Sequence, residues 1–410
     1  MNSNYKPAII VVAFNREGPL KRLLSSLQKG IYPNNTKLII SIDKASNNQN
    51  ILEAAKIFEW NFGEKEVIYQ EENLGLKKHI IKCCDLVNIY GSVIILEDDL
   101  FVSKHFYDYT IKALNYYGED ETIAGVSLFK YPAIERRINP FPFISTIDNS
   151  DVHFIQFASS WGQAWTKEQW NSFKDWFNQK PDLESLWGTV PFTVLDWPLT
   201  SWKKFFISYM VTNNKFFVFP NQSLTTNFDD PGSNRFKITY TYQSPLKIDN
   251  NTDYKFIPFE KAQNKYDASF EILPEILKEY NQRLANYDFD VDLYGLKRPL
   301  ELEKEYTLTT QKTSKAIFSF ARSLKPHELN ILFDIAGEDI FFTKKKDIED
   351  ISNKRYIAKY DIFFEKKISQ LIKDYVYFYR SPDRIKDILK LAIHQFIEKI
   401  KRMLICRNKL

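Results

Sequence analysis

The strongest constraint on the fold is a pattern that recurs through the first 117 residues, in which a short apolar run is followed by an amphipathic stretch. Residues 8–14 (AIIVVAF) form a continuous, largely β-branched run, as expected of a strand buried on both faces. Leu20, Leu23, Leu24 and Leu27 then fall at helical spacing. Residues 38–42 (LIISI) predict a second strand ending at Asp43, with a helix over 50–62. Residues 66–70 predict a third strand and 76–88 a helix. Residues 92–96 (SVIIL) predict a fourth strand ending at Glu97-Asp98-Asp99, and 106–117 a helix. This alternation predicts an α/β fold with a parallel sheet and helices on both faces. Such sheets bind ligands outside the carboxyl ends of their strands. Asn15-Arg16, Asp43 and the acidic triplet should therefore meet in one crevice.

Beyond about residue 120 the alternation fades. Residues 150–240 are rich in Trp and Phe, and 240–265 (Asn, Asp, Pro, Lys) predict a surface connection. Strand-like runs follow at 316–320, 330–335 and 340–343, and the chain from 361 onward reads as helical. A length of 410 residues predicts two or three compact units. Aromatics reach 16%, enough for a dense core and for stacking platforms, while only 12 glycines exclude glycine-repeat architectures. The net charge of +4 calls for no nucleic-acid partner. Cys83, Cys84 and Cys406 make no disulfide framework or metal spacing, which fits a reducing compartment. The polar start predicts no signal peptide, and no apolar run is long enough to predict a membrane span.

Three acids at the end of a buried strand repel one another and call for a cation. Carboxylates beside a diphosphate favour Mn²⁺ or Mg²⁺, hard ions that take oxygen ligands. The plain alternative is a solvated acidic turn. The polar strand ends on either side favour a site.

Four segments, in order, resemble nucleotide-sugar-dependent glycosyltransferases of the GT-A fold. They are residues 7–16 (PAIIVVAFNR), 94–106 (IILEDDLFVSKHF), 159–170 (SSWGQAWTKEQW) and 216–234 (FFVFPNQSLTTNFDDPGSN). The likeness is to bacterial family-2-type enzymes and the branch that includes N-acetylglucosaminyltransferase I. It implies a Rossmann-like nucleotide-sugar-binding domain with a mixed sheet and a smaller C-terminal α/β-to-helical region. It also implies individual roles. Asp99 is the metal ligand, and Glu97 and Asp98 face the ribose or donor sugar. Ala13, Phe14, Asn15 and Arg16 line the nucleotide pocket, and Asp43 contacts the base or ribose. Asn73, Gly75 and Lys77 stand near the diphosphate, although a solvated Lys at a helix start reads equally well. The donor is a nucleotide diphosphate sugar, with UDP as the expected nucleotide.

An inverting transfer needs a general base for the acceptor hydroxyl. Relatives place an Asp after a Trp at a position that here holds Lys203, after Trp202, so this chain departs from the pattern. Asp196, Asp229 and Asp230 are the remaining carboxylates, with Asp196 slightly favoured. Each also reads as a turn or cap residue. Trp161, Trp165, Trp197 and Trp202 are aromatic candidates for sugar contact. Core packing is the better reading for Trp165 and Trp202, whereas Trp161 beside Gly162 is the expected sugar contact. The five His residues are dispersed and suggest no metal site.

The resulting division is a catalytic domain over 1–255, an appended α/β segment over 256–350 and a basic helical region over 351–410. Residues 355–410 carry 14 Lys/Arg against 6 Asp/Glu, and 383–404 form a basic amphipathic helix pattern. That helix could meet an anionic membrane face, its own core or a homodimer partner. The expected setting is cytoplasmic, at the inner face of the plasma membrane, and the expected acceptor is a glycan or lipid-linked oligosaccharide. Two rivals stand beside the transferase. One is a nucleotidyltransferase, weakened by the single Gly in AFNREGPL; the other is a non-catalytic sugar-binding or scaffolding domain.

Overall fold

The computed structural model describes residues 5–135, 141–228, 230 and 242–349. Residues 1–349 form one compact unit and 350–410 a second. The amphipathic pattern at 383–404 lies outside the described residues.

The first four expected strands are all present: β1 (Ala8–Ala13), β2 (Leu38–Ile42), β3 (Lys65–Tyr69) and β4 (Ser92–Glu97). The helices between them are α1 (Glu17–Leu27), α2 (Gln49–Ile57), α3 (Gly75–Cys84) and the short α4 (Val87–Tyr90). The helix expected over 76–88 thus stops at Cys84 and restarts at Val87. Its break residue, Asp85, accepts Trp170 Nε1–H at 2.8 Å and Lys174 Nζ at 3.1 Å. β1 pairs in parallel with β2 and β4, and β2 with β3. β1, β2 and most of β4 are buried along their length, as their unbroken apolar character requires.

β5 (Leu100–Val102) and α5 (Phe106–Tyr117) follow, then β6 (Ile123–Ser127), β7 (Val152–Ile155) and β8 (Gln163–Thr166). α6 (Lys167–Asn178), α7 (Phe192–Leu195) and α8 (Trp202–Thr212) lead to β9 (Phe216–Pro220) and β10 (Thr225–Asn227). The main sheet is mixed and has nine strands, ordered β11-β7-β9-β6-β8-β4-β1-β2-β3, where β11 is Lys265–Tyr266. β8 lies antiparallel between β4 and β6, so the purely parallel pattern ends at β4. β5 and β10 form a separate antiparallel ribbon directly after the acidic triplet. Trp165 is fully buried against Trp170, Trp202, Phe206 and Phe217, which makes Trp165 and Trp202 core residues. Each such side chain contributes on the order of 2–3 kcal/mol by burial.

After α9 (Pro274–Tyr280) comes a four-stranded sheet ordered β12-β13-β15-β14. Its strands are β12 (Phe289–Asp292), β13 (Tyr306–Thr309), β14 (Ala316–Phe320) and β15 (Ile340–Lys344). The run at 330–335, expected as a strand, is instead α10 (Leu329–Leu332) followed by a turn. Asn330 is the physical reason. Its side chain accepts from the backbone of Ser323 and Leu324 and donates to the carbonyls of Leu324 and His327, which winds the chain into a turn. Ile331 is buried while Phe333 faces solvent, the opposite of a strand that keeps both on one face. No helix among the described residues is long and apolar enough to cross a membrane.

His153 on β7 is buried, and its Nδ1–H donates to Asn221 Oδ1 at 2.9 Å. Burial, with Lys130 nearby, pushes its pKa down to about 3. The unfolded chain protonates this imidazole near pH 6.5 while the folded chain does not. Its contribution to stability is therefore intact above pH 6.5 and is lost as the pH falls toward 3. Chemical-denaturation midpoints of wild type and His153→Asn should converge between pH 7 and pH 4. A gap that does not change with pH would show that His153 is not held neutral.

Candidate active site

Strand register alone lines up one edge of the sheet. Ala13 lies opposite Ile42, and Val12 opposite Glu97. β8 runs the other way and pairs Ile95 with Gln163, so Trp161 and Gly162, just before β8, flank Glu97. Asn15-Arg16, Asp43 and Glu97 to Asp99 thus share the carboxyl edge of the parallel half, as the sequence predicts, and Trp161-Gly162 joins them there.

Arg16 supplies the cation that the acidic triplet calls for. Its guanidinium pairs with Asp98 Oδ1 and lies 3.1 Å from Asp99 Oδ2. Burial opposes the Arg16 charge, but the two carboxylates outweigh it and raise its pKa. Burial pushes the Glu97 carboxyl up to about 8, reinforced by the charges of Asp99 and Asp98 and opposed by Arg16 and Lys203. Burial also holds Asp98 up at about 6 against the pull of Arg16. Asp99 Oδ1 is sealed from solvent and has no hydrogen-bond partner among the described residues. An unpaired buried carboxylate oxygen beside a partly protonated acid is the donor chemistry a hard divalent cation takes. Among the described residues, no three His, Cys, Asp or Glu side chains stand close enough to hold a metal unaided. Asp99, with Glu97 and Asp98 around it, fits such an ion only with ligand oxygens completing the shell.

Asp43 is buried and is engaged by backbone. Its Oδ1 accepts from Lys44 N at 3.0 Å and Leu74 N at 2.8 Å, and its Oδ2 accepts from Gly75 N at 2.9 Å. It thereby caps the start of α3, an arrangement favoured by the helix dipole. Asn73 donates to Lys44 O at 2.7 Å. Lys77 Nζ donates to Leu199 O at 2.6 Å and lies 4.6 Å from the Phe205 ring centroid. Partial burial and Lys78 lower its pKa. Phe14 O accepts from Asn48 Nδ2 at 2.7 Å, which anchors the β1 loop, and Asn15 is exposed at its tip.

The expectation that Gly162 leaves room for substrate is not what its surroundings indicate. A Cβ there would lie 2.8 Å from Thr225 Cγ2 and 3.3 Å from Leu128 Cβ, so the β10 ribbon occupies the space. Trp161 is 8% exposed and packs against Phe129, Tyr131 and Tyr242.

Lys203 is 4% exposed and stands amid aromatic rings. Its Nζ lies 5.2 Å from the Phe157 and Trp197 ring centroids and 5.5 Å from that of Trp161. It pairs with Glu135 Oε2, which also accepts from Tyr131 O–H at 2.8 Å. Glu135 Oε1 accepts no hydrogen bond among the described residues. Sequence reasoning missed Glu135. The available signal was Lys203 itself, because a cation among aromatic side chains needs a carboxylate partner.

Of the three expected bases, Asp196 and Asp230 are among the described residues. Asp196 is exposed at the end of α7, near enough to influence Lys204. Asp230 pairs with Arg22 of α1, whose guanidinium lies 3.7 Å from the Phe228 ring centroid. Asp229 lies outside the described residues.

Residues 8–162 match the sequence family Glycosyl transferase family 2. No curated protein matches this chain. Three solved structures resemble it at low identity. The mannosyltransferase PcManGT from Pyrobaculum calidifontis, in complex with GDP-Man and Mn²⁺, shares 14% identity over 31% of this chain and 37% of its own, with a TM-score of 0.25. GalNAc-T7 with UDP, GalNAc and Mn²⁺ shares 12% over 53% of this chain and 43% of its own, with a TM-score of 0.37. S. aureus TarS 1-349 shares 12% over 53% of this chain and 59% of its own, with a TM-score of 0.32. The chain thus spans between 37% and 59% of the length of these structures. The family match runs from the start of β1 to Gly162 and contains every strand end described above. Residues 8–162 are thus similar to a family 2 glycosyltransferase domain and contribute β1 to β4, β6 and β7 to a mixed α/β sheet.

Two glycines test the geometry. Gly75 has φ +69° with open space where a Cβ would go, so Gly75→Ala meets only left-handed backbone strain, about 1–2 kcal/mol. Gly162 has φ +97° and the Thr225 contact as well, which adds an overpacking cost of about 1–3 kcal/mol. Denaturation should rank Gly162→Ala clearly below Gly75→Ala in stability. Equal losses would remove the packed ribbon from beside Glu97.

Proposed function

We propose that this chain transfers a sugar from a nucleotide diphosphate sugar, UDP-linked by preference, to an acceptor hydroxyl on a bacterial surface glycan, with inversion at the anomeric carbon. The observation that carries the reading is the row of strand-end groups inside the family-matched region, from Ala13 to Trp161, on one sheet edge. Capsule, lipopolysaccharide or exopolysaccharide precursors, free or lipid-linked, are the proposed acceptors. A cytoplasmic setting at a membrane face, reached through 383–404, belongs to the same proposal, as do the roles of Asn15, Asp43, Asn73, Gly75 and Lys77 at the nucleotide.

Mn²⁺ or Mg²⁺ would be held by Asp99, with Glu97 and Asp98 beside it, and would supply charge neutralisation for the leaving diphosphate. Arg16 keeps the carboxylates oriented toward the cleft, and its position supports phosphate contact once ligand competes for it. Asp43 shapes the start of α3 and so sets the wall of the nucleotide pocket.

Glu135 is our assignment for the base, ahead of Asp196, Asp229 and Asp230. Its Oε2 is fixed by Lys203 and Tyr131, while its half-buried side chain leaves Oε1 to accept a proton. Asp230 has its carboxylate engaged by Arg22, and Asp196 stands in solvent, where water competes for the acceptor. In the reaction the acceptor oxygen attacks the anomeric carbon and its proton passes to Glu135. The bond from the anomeric carbon to the phosphate oxygen breaks, and the nucleoside diphosphate leaves.

The test is a thermal shift with UDP-, GDP-, CMP- and dTDP-sugars, with and without Mn²⁺, followed by turnover with the stabilising donor. Asp99→Asn should abolish the Mn²⁺-dependent shift. Glu135→Gln should keep the shift and lower kcat by 10²–10⁴-fold, the usual loss for a general base. Asp196→Asn and Asp230→Asn should each stay within tenfold of wild type. Full activity in Glu135→Gln would return the base to one of the aspartates, and no shift with any donor would favour a non-catalytic sugar-binding domain.

A further inference from the structure

A cavity with a volume of about 340 Å³ has a lining that includes none of the acidic triplet. Tyr109 of α5, Asp151 before β7, and Lys247, Asp249, Asp253 and Tyr254 after β10 line it. The two tyrosine rings pack edge to face with centroids 5.0 Å apart. Both hydroxyls are sealed from solvent and neither has a hydrogen-bond partner. Tyr109 is 0% exposed, and a buried phenol left unpaired is costly unless something else satisfies it. Burial raises the pKa of both phenols, and both also feel the charge of Asp151, which places them toward the acids of the cavity.

The charge and the turn geometry decide what could fill it. Three carboxylates against Lys247 leave a net negative lining, which disfavours an anion. A divalent cation is disfavoured because an ammonium already holds that ground. Lys247 Nζ pairs with Asp249 Oδ1 and lies 3.2 Å from Gln222 Oε1. Asp249 Oδ1 and Asn251 Oδ1 are further engaged by the turn amides of Asn251 and Asp253, both at 2.9 Å. The remaining chemistry suits a neutral polyhydroxyl ligand. Carboxylates accept hydroxyl protons, the ammonium donates, and the half-buried Tyr254 ring offers an apolar face to C–H groups.

We propose that this cavity is a binding subsite for a neutral sugar unit. Pro220, at the carboxyl end of β9, also lines it, so it opens at the same sheet edge as the acidic triplet. Three strand spacings, about 15 Å, separate β9 from β4 along the sheet. Its use by an extended acceptor glycan rests on the transferase reading; its affinity for a sugar does not.

Saturation-transfer NMR on the full chain, without nucleotide or metal, tests the proposal with methyl glucoside, methyl galactoside and methyl N-acetylglucosaminide as probes. At least one glycoside should bind saturably in the millimolar range. Binding should weaken at least fivefold in both Asp151→Asn and Asp253→Asn, which remove one carboxylate each and leave the packing in place. Asp99→Asn should bind the glycoside as wild type does, even where it no longer binds nucleotide sugar. Lack of binding by all three glycosides, or binding that survives both cavity variants, would overturn the proposal. So would loss of binding in Asp99→Asn, which would move the signal to the nucleotide site. A Ca²⁺- or Mn²⁺-dependent rise in Tm that vanishes in Asp249→Asn would overturn it in favour of a cation site.

Discussion

Three carboxylates in sequence at the end of a strand buried on both faces can persist only where positive charge reaches them. Here it arrives from two directions. Arg16 comes from the loop after β1, the parallel neighbour of β4, and ties Asp98 to Asp99. Lys203 comes from α8 on the side where β8 runs antiparallel to β4, and its field reaches Glu97. Even so, burial and the neighbouring Asp99 and Asp98 hold the Glu97 carboxyl well above the usual carboxylate range. The strand order β8-β4-β1 is therefore an electrostatic requirement as well as a topological one. It is what allows an acidic cluster to sit at a largely buried sheet edge.

How legible this was depended on whether the information was local. β1, β2 and β4 announce themselves because each is a nearly continuous apolar run, β3 by its shorter Val67-Ile68-Tyr69 core, and the strand-end residues follow from that pattern. Beyond Gly118 the partners are distant. β8 inserts between β4 and β6, which come earlier in the chain, and no local period encodes that insertion. The run at 330–335 misleads because its apolar residues mimic a strand while Asn330 supplies the turn. Gly162 was rightly singled out, yet the close approach it permits is by Thr225. Glu135 was missed because its partner, Lys203, lies 68 positions away.

The aromatic content also divides differently from what composition alone suggests. Much of it is core: Trp165, Trp170, Phe206 and Phe217 form one packed cluster under the helices. A second group, Phe157, Trp161 and Trp197, surrounds the Lys203 ammonium. Rings near a cation gain by cation–π attraction and help hold the charge out of bulk water. Trp161 is then part of what fixes Lys203, and through it Glu135.

That coupling explains how a lysine can occupy a position where a carboxylate was expected without emptying the cleft of acid. A lysine side chain there would, alone, be a buried charge with a large desolvation cost. The carboxylate that offsets it must come from another element, and it comes from the segment after β6, on the same carboxyl edge. The acid and the cation have exchanged elements while the cleft keeps both. The exchange also tethers the 130–135 segment to α8 through Tyr131, Glu135 and Lys203, so charge balance and cleft shape are set by the same contacts. A change at Lys203 would alter the electrostatics of Glu97, and a change at any one of the three would loosen the tie between α8 and the 130–135 segment.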